Sequence, residues 1–157
     1  MDITQLFFQL VQAAIGKRDH LDAKPSLEEW KILYEMSKKQ SLIAVCFTGV
    51  EALPKEQMPD QDTIMLWFGH THKIELRNSK MNGGCERLYR DFAQWGYDSC
   101  ILKGQTNRAY YPESLRSRRN PGDIDIWVYP KGNKTDRVKQ TMLLLEKRKM
   151  IRSLAYL

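Results

Sequence analysis

The segment GDIDIWV, residues 122–128, alternates acidic and apolar side chains over 123–126 and continues with two apolar residues, a pattern typical of a half-buried β-strand. Because successive side chains on a strand point to opposite faces, Asp123 and Asp125 project one way while Ile124 and Ile126 point into the core. Two carboxylates on one face repel each other unless a cation lies between them, and Mg²⁺ takes oxygen ligands of this kind. The pattern indicates a candidate magnesium site. The alternative is an acidic edge strand that discourages pairing between sheets.

A second feature lies upstream, where LKG at residues 102–104 ends a short apolar run that favours a strand over 99–102. The following QTNRAY, residues 105–110, has the composition of a short helix. A glycine at such a turn lets a phosphate approach free backbone amides at the helix start, and Lys103 adds positive charge. An ordinary strand-to-helix turn with a solvated lysine is the alternative. Only together do this turn and the paired carboxylates predict metal-assisted phosphoryl or nucleotidyl transfer.

The N-terminal half of the chain is predicted to be helical. Apolar spacing predicts helices over 3–15 and 41–53, although residues 47–50 also fit a strand. A capping box formed by Ser26 and Glu29 begins another helix between them. A long helix starts near residue 61, and the pair Gly83-Gly84 either kinks it or divides it.

A final helix, capped by Asn133 or Thr135, follows the strand at 123–128. We therefore expect an α+β protein in which a helical lobe, residues 1–95, packs on a small mixed β-sheet within residues 96–157. The tryptophans lie among apolar residues and are expected to pack in the core or between the lobes: Trp30, Trp67, Trp95 and Trp127.

Composition gives the broad class of the protein. A content of 42% hydrophobic and 28% charged residues is typical of a globular chain, and no apolar run reaches the roughly 20 residues of a membrane span. The first residues lack the basic flank of a secretory signal, so we expect a cytoplasmic protein without a membrane partner. The odd number and wide spacing of Cys46, Cys85 and Cys100 favour reduced, mostly buried thiols over disulfides or zinc ligands.

Lys and Arg outnumber Asp and Glu by 25 to 19, and the excess is concentrated from Arg116 onward. A solvated basic surface is the plain interpretation, and Arg116 and Arg118 are expected to lie in water. A functional interpretation is a noncatalytic interaction module that binds nucleic acid or protein through the basic C-terminal half. Tyr110 and Tyr111 either stack on a base near the proposed phosphate site or pack as loop residues.

The order of these motifs resembles the uncharacterised nucleotidyltransferase family of bacterial proteins, within the polymerase-beta-like superfamily. The resemblance rests on LKG at 102–104, YYP at 110–112, Arg119, and GDIDIWV at 122–128, and it covers roughly residues 95–128. It implies a sheet of nucleotidyltransferase type in which Asp123 and Asp125 are the catalytic carboxylates and hold one or two Mg²⁺ ions. It also implies the nucleotide-binding residues Lys103, Gly104, Gln105 and Arg119.

By the same resemblance, the reaction would transfer a nucleoside monophosphate from a nucleoside triphosphate to an unknown hydroxyl acceptor, releasing pyrophosphate. The superfamily usually has a small residue where this chain has Gln105, and it supplies a third carboxylate from a later strand. After Asp125 the remaining acids are Asp136 and Glu146, both predicted on the final helix. The third ligand is thus missing from the pattern, as in a truncated core, so nucleotide binding is better supported than turnover. Homo-oligomerisation is left open.

Overall fold

Five α-helices and a two-stranded sheet form the part of the chain that the computed structural model describes, residues 2–131 and 137–147. The helical lobe consists of α1 Ile3–Ala14, α2 Leu27–Lys39, α3 Ile43–Ala52 and α4 Gln61–Gln94. The remainder consists of β1 Tyr97–Leu102, two 3-10 helices at Thr106–Tyr110 and Glu113–Leu115, β2 Asp125–Pro130, and α5 Arg137–Lys147. The α+β class is confirmed.

The helices begin where the local sequence predicts. Ser26 accepts a hydrogen bond from the amide of Glu29, and the Glu29 carboxylate accepts one from the amide of Ser26, so the predicted capping box is present. Asp2 and Asp60 cap α1 and α4 through their side chains. These caps satisfy amides that have no partner within the helix, and they fix where each helix starts.

The core of the helical lobe is built around aromatic side chains. Trp30 and Trp67 are almost completely buried and meet edge to face, with ring centroids 6.2 Å apart. The indole Nε1 of Trp67 donates to the carbonyl of Ile43 at 2.6 Å, which joins α4 to α3. A methyl group at Gly49 would lie only 2.3 Å from the carbonyl oxygen of Leu10, so glycine permits the close packing of α3 on α1.

The pair Gly83-Gly84 lies inside one continuous helix of 34 residues. A methyl group at Gly83 would meet nothing within 4 Å, whereas one at Gly84 would lie 3.2 Å from Cδ1 of Ile124. Gly84 therefore lets the segment before β2 pack closely on α4. In this structure the pair does not divide α4, and the position of Ile124 gives the physical reason for the second glycine.

The sheet is antiparallel, with Leu102 opposite Asp125 and Ile101 opposite Ile126. The expectation of a mixed sheet is wrong for the described residues, which contain only this antiparallel pair. β2 also begins two residues later than the alternating pattern predicts, at Asp125 rather than Asp123.

One face of the sheet lies toward α4 and the other is largely open. Trp127 is 52% exposed and stacks on Tyr129, with ring centroids 5.5 Å apart. The expected core or inter-lobe packing of Trp127 is therefore wrong, because neither α4, which packs on β1, nor α5, which contacts β2, covers its ring. Trp95 is half-buried, and Trp30 and Trp67 are buried as expected.

The three thiols are free, as expected. Cys46 is buried, Cys85 is half-buried and Cys100 is exposed, so the expectation that most of the thiols are buried is wrong. Among the helices of the described residues, none has both the length and the hydropathy of a membrane span. The proposed caps Asn133 and Thr135 lie outside the described residues.

Candidate active site

The two predicted carboxylates lie on the open side of the segment that enters β2. From residue 123 to residue 126 the side chains alternate between exposed and half-buried, so that Asp123 and Asp125 are exposed. Ile124 and Ile126 are both half-buried, and Ile124 packs against α4 near Gly84. The alternation expected from the sequence thus extends through Asp123, although regular strand pairing starts only at Asp125.

The Gly104 turn approaches the residues that precede the strand. Lys103 and Gly104 have φ angles of +52° and +27°, so the backbone is left-handed at both positions, which favours glycine. A methyl group at Gly104 would lie 3.7 Å from the carbonyl oxygen of Asp123 and 3.8 Å from both terminal nitrogens of Arg119. The structure therefore brings together the turn, the arginine and the first carboxylate-bearing residue, which the sequence places on separate segments.

Lys103 faces the second carboxylate across the sheet end. Leu102, the last residue of β1, pairs with Asp125, so Lys103, which follows it, lies beside the start of β2. The ammonium of Lys103 is 3.8 Å from Oδ2 of Asp125. The two side chains are 78% and 49% exposed. An exposed pair at this distance contributes little to stability, so Lys103 is free to exchange Asp125 for a phosphate group.

The segment after Gly104 is a five-residue 3-10 helix, Thr106–Tyr110, where the sequence suggests the start of a short helix. The amide of Thr106 donates to the carbonyl of Lys103 at 2.9 Å and closes the turn. So short a helix carries only a small dipole. Positive charge at this site therefore comes mainly from the side chains of Lys103 and Arg119.

The side chain of Gln105 is directed toward the helical lobe. Its Nε2 donates to Oδ1 of Asn82 on α4 at 2.6 Å, and its Oε1 is buried without a hydrogen-bond partner among the described residues. Gln105 thus ties the turn to α4. Its predicted contact with nucleotide stays a prediction.

Arg119 is held by its backbone and has a free guanidinium nitrogen. The amide Nδ2 of Asn78, a residue only 1% exposed, donates to the carbonyls of Arg119 at 2.7 Å and Ser117 at 2.8 Å. The Nη1 atom of Arg119 is buried with no acceptor in the described part of the chain. A buried cationic N–H group without an acceptor is costly, so it is suited to an anionic ligand oxygen.

Sequence reasoning missed Asn78. It lies on the face of α4 that also carries Trp67, Thr71 and Ile74, at the helical spacing of core residues. A polar amide at a core position of an amphipathic helix is a signal that could have identified it, because a buried amide needs hydrogen-bond partners.

Arg118 anchors the same loop to the helical lobe. Its guanidinium donates to the carboxylates of Glu51 and Glu75 and, at 3.0 Å, to the hydroxyl of Thr48. Burial alone would lower the pKa of Arg118, but the two glutamates raise it above its usual value. The expectation that Arg118 lies in water is wrong because these acids, distant in sequence, face the loop. Arg116 is exposed as expected.

Comparison with known protein families now adds to the geometry. A family model described as an uncharacterised nucleotidyltransferase matches residues 26–146. The chain belongs to this nucleotidyltransferase family. No curated protein and no solved structure gave a match. The matched range includes α2, α3 and α4 as well as the sheet, so the helical lobe from Ser26 onward is part of the family pattern.

Two exposed aspartates are the residues at this site that could hold a metal ion. Asp123 and Asp125 supply exposed carboxylate oxygens, the hard donors that Mg²⁺ prefers, so the type of donor suits the ion. Residues 2–131 and 137–147 contain no group of three or more His, Cys, Asp or Glu side chains able to share a metal. Glu146 is exposed on α5, and Asp136 lies outside the described range.

Proposed function

We propose that this family member is a magnesium-dependent nucleotidyltransferase that moves a nucleoside monophosphate from a nucleoside triphosphate to a hydroxyl acceptor. The observation that carries the proposal is the meeting of Gly104, the guanidinium of Arg119 and the backbone of Asp123 at one end of the sheet, where the side chains of Asp123 and Asp125 are exposed. A glycine turn, an unpaired guanidinium and a carboxylate edge are the groups that bind a polyphosphate together with its cation.

In this proposal Asp123 and Asp125 hold the magnesium, with triphosphate oxygens and water completing its ligands. The bound ion would neutralise charge on the phosphoryl oxygens and on the pyrophosphate leaving group. The open side of the β2 entry exposes both carboxylates to an incoming nucleotide.

The phosphate chain is bound by the groups around the turn. Nη1 of Arg119 donates to a phosphate oxygen and so gains the acceptor that it lacks within the described residues. Lys103 exchanges its long contact with Asp125 for a second phosphate oxygen. Gly104 carries no side chain that would separate the turn from the guanidinium of Arg119, so a phosphate bound by Arg119 also lies beside the turn.

The number of carboxylates at the site bears differently on nucleotide binding and on catalysis. Two carboxylates suffice for a magnesium–triphosphate complex, because the nucleotide supplies further oxygen ligands. Activation of an attacking hydroxyl needs a base in addition, and a third carboxylate would supply it. We therefore propose that nucleotide binding is retained and that turnover is slow unless the acceptor complex completes the site.

The test is a calorimetric titration of the protein with ATP, with and without Mg²⁺. Asp123→Asn and Asp125→Asn should each abolish the magnesium-dependent part of the affinity. The matched control is Asp98→Asn, which removes an exposed carboxylate from the same face of the sheet and should leave ATP affinity unchanged. Equal ATP affinity in all three variants and the wild type would refute the proposal and favour the noncatalytic interaction module.

A further inference from the structure

A large apolar cavity lies between the helical lobe and the segment that follows the Gly104 turn. Its volume is about 710 Å³, within the range of small-molecule sites. α1 and α3 form one wall and the segment from residue 107 to residue 115 forms the other. The aliphatic part of the lining comes from Val11, Ile15, Leu42, Val45, Pro112 and Leu115.

This cavity continues toward the proposed phosphate site. A second cavity of about 300 Å³ shares Leu42, Val45 and Tyr111 with the first and extends to Arg119 and Gly122. Gly122 directly precedes Asp123 in the chain. A concave surface therefore leads from the apolar cavity to the residues beside the carboxylates.

The chemistry of the lining suits a flat heterocycle. Tyr111 and the 88% exposed Tyr110 offer aromatic faces at the rim, and aliphatic side chains cover the interior. The exposed amide of Asn107 carries both donors and an acceptor for the edge of a ring. The aliphatic interior contributes no charge, so a polyphosphate would not enter it.

We propose that this cavity binds the nucleoside part of the triphosphate, with the base between the aliphatic interior and the tyrosines. The assignment rests on the proposed function, because it takes the phosphates to lie at Arg119 and Gly104. It makes the helical lobe part of the substrate site: α1 and α3 contribute one half of the base pocket. It also assigns the exposed Tyr110 to base contact, whereas Tyr111 lines the cavity and packs on the cluster of Ala14, Val45 and Leu115.

The experiment separates the nucleoside from the phosphates by using two probes, Mg–ATP and Mg–tripolyphosphate. Ile15→Trp fills the cavity mouth from a side chain that is 46% exposed at the end of α1. The matched control is Ile32→Trp, which adds the same bulk at a 42% exposed position on α2 outside the cavity. Thermal unfolding of both variants should match the wild type, and Tyr110→Ala provides a second variant that removes bulk instead of adding it.

Ile15→Trp and Tyr110→Ala should each weaken Mg–ATP by about tenfold, the loss of one stacked base, and leave Mg–tripolyphosphate unchanged. Wild-type affinity for Mg–ATP in both variants, while Asp123→Asn weakens both probes, would overturn the cavity assignment alone. If Asp123→Asn leaves both probes unaffected, the proposed function fails, and the cavity assignment fails with it.

Discussion

The side-chain amide of Asn78 donates to the backbone carbonyl of Arg119 over 2.7 Å. Asn78 belongs to α4, and Arg119 lies four residues before Asp123 on the loop that leads into β2. A second bond from the same amide, to Ser117, fixes the loop at another point. A buried residue of the helical lobe therefore fixes the backbone position of Arg119 and the path of the loop that leads to Asp123.

Asn78→Ala should destabilise the protein and weaken nucleotide binding together. The substitution leaves the carbonyls of Ser117 and Arg119 without their donor, which we expect to cost roughly 2–3 kcal/mol of unfolding free energy. Urea unfolding monitored by tryptophan fluorescence measures this loss. Ser79→Ala, at the exposed neighbouring position on α4, is the control and should have little effect. A similar stability for both variants would contradict the assigned role of Asn78.

The adjacent residues Arg118 and Arg119 should separate stability from binding. Arg118→Ala removes hydrogen bonds to Glu51 and Glu75 from a side chain that is 17% exposed, and should lower the unfolding free energy by roughly 1–2 kcal/mol. Arg119→Ala should instead leave stability near wild type and weaken Mg–ATP by about tenfold or more, because it removes a charge-assisted bond to phosphate. Denaturant unfolding and calorimetry on the two variants provide the measurements.

The opposite pattern, with Arg119→Ala unfolding the protein and Arg118→Ala losing nucleotide, would show that the two side chains have been assigned the wrong way round. Glu75→Gln is a useful companion variant. In a double-mutant cycle it should couple to Arg118→Ala and not to Arg119→Ala, because Arg118 donates to that carboxylate, whose other described neighbour is Nδ1 of His72 at 3.8 Å.

Alanine at the two glycines of α4 should give different results. Gly83→Ala meets open space and should stabilise the helix by about 0.5–1 kcal/mol. Gly84→Ala gains the same helix propensity, but its methyl group forces Ile124 to move, so its net gain should be smaller. Comparison of the two melting temperatures tests this contact. Equal stabilisation would mean that Gly84 is not needed for the packing of Ile124.

Local patterns in the sequence predicted the features that depend on near neighbours. The capping box of Ser26 and Glu29 closes within a single helical turn, so four residues contain all the information that it needs. The alternating exposure around Asp123 and Asp125 follows from the geometry of an extended chain. The assignment of these two aspartates to magnesium stays a prediction.

Features that join distant segments could not be predicted in this way. Asn78 and Arg119 are 41 residues apart, and Arg118 and Glu51 are 67 residues apart. No local periodicity relates such residues, since their contacts depend on how α3, α4 and the loop pack. The exposure of Trp127 has the same origin, because a strand pattern does not reveal whether a second layer covers the sheet.

The central claim is that Asp123 and Asp125 bind the metal of a nucleotide complex. The most direct measurement is the anomalous diffraction of crystals grown with Mn²⁺ and a nonhydrolysable ATP analogue. The account predicts an anomalous peak within about 2.2 Å of carboxylate oxygens from both residues, with the phosphates beside Gly104 and Arg119. A nucleotide-bound crystal whose manganese lies on other side chains, with both aspartates free in solvent, would contradict it.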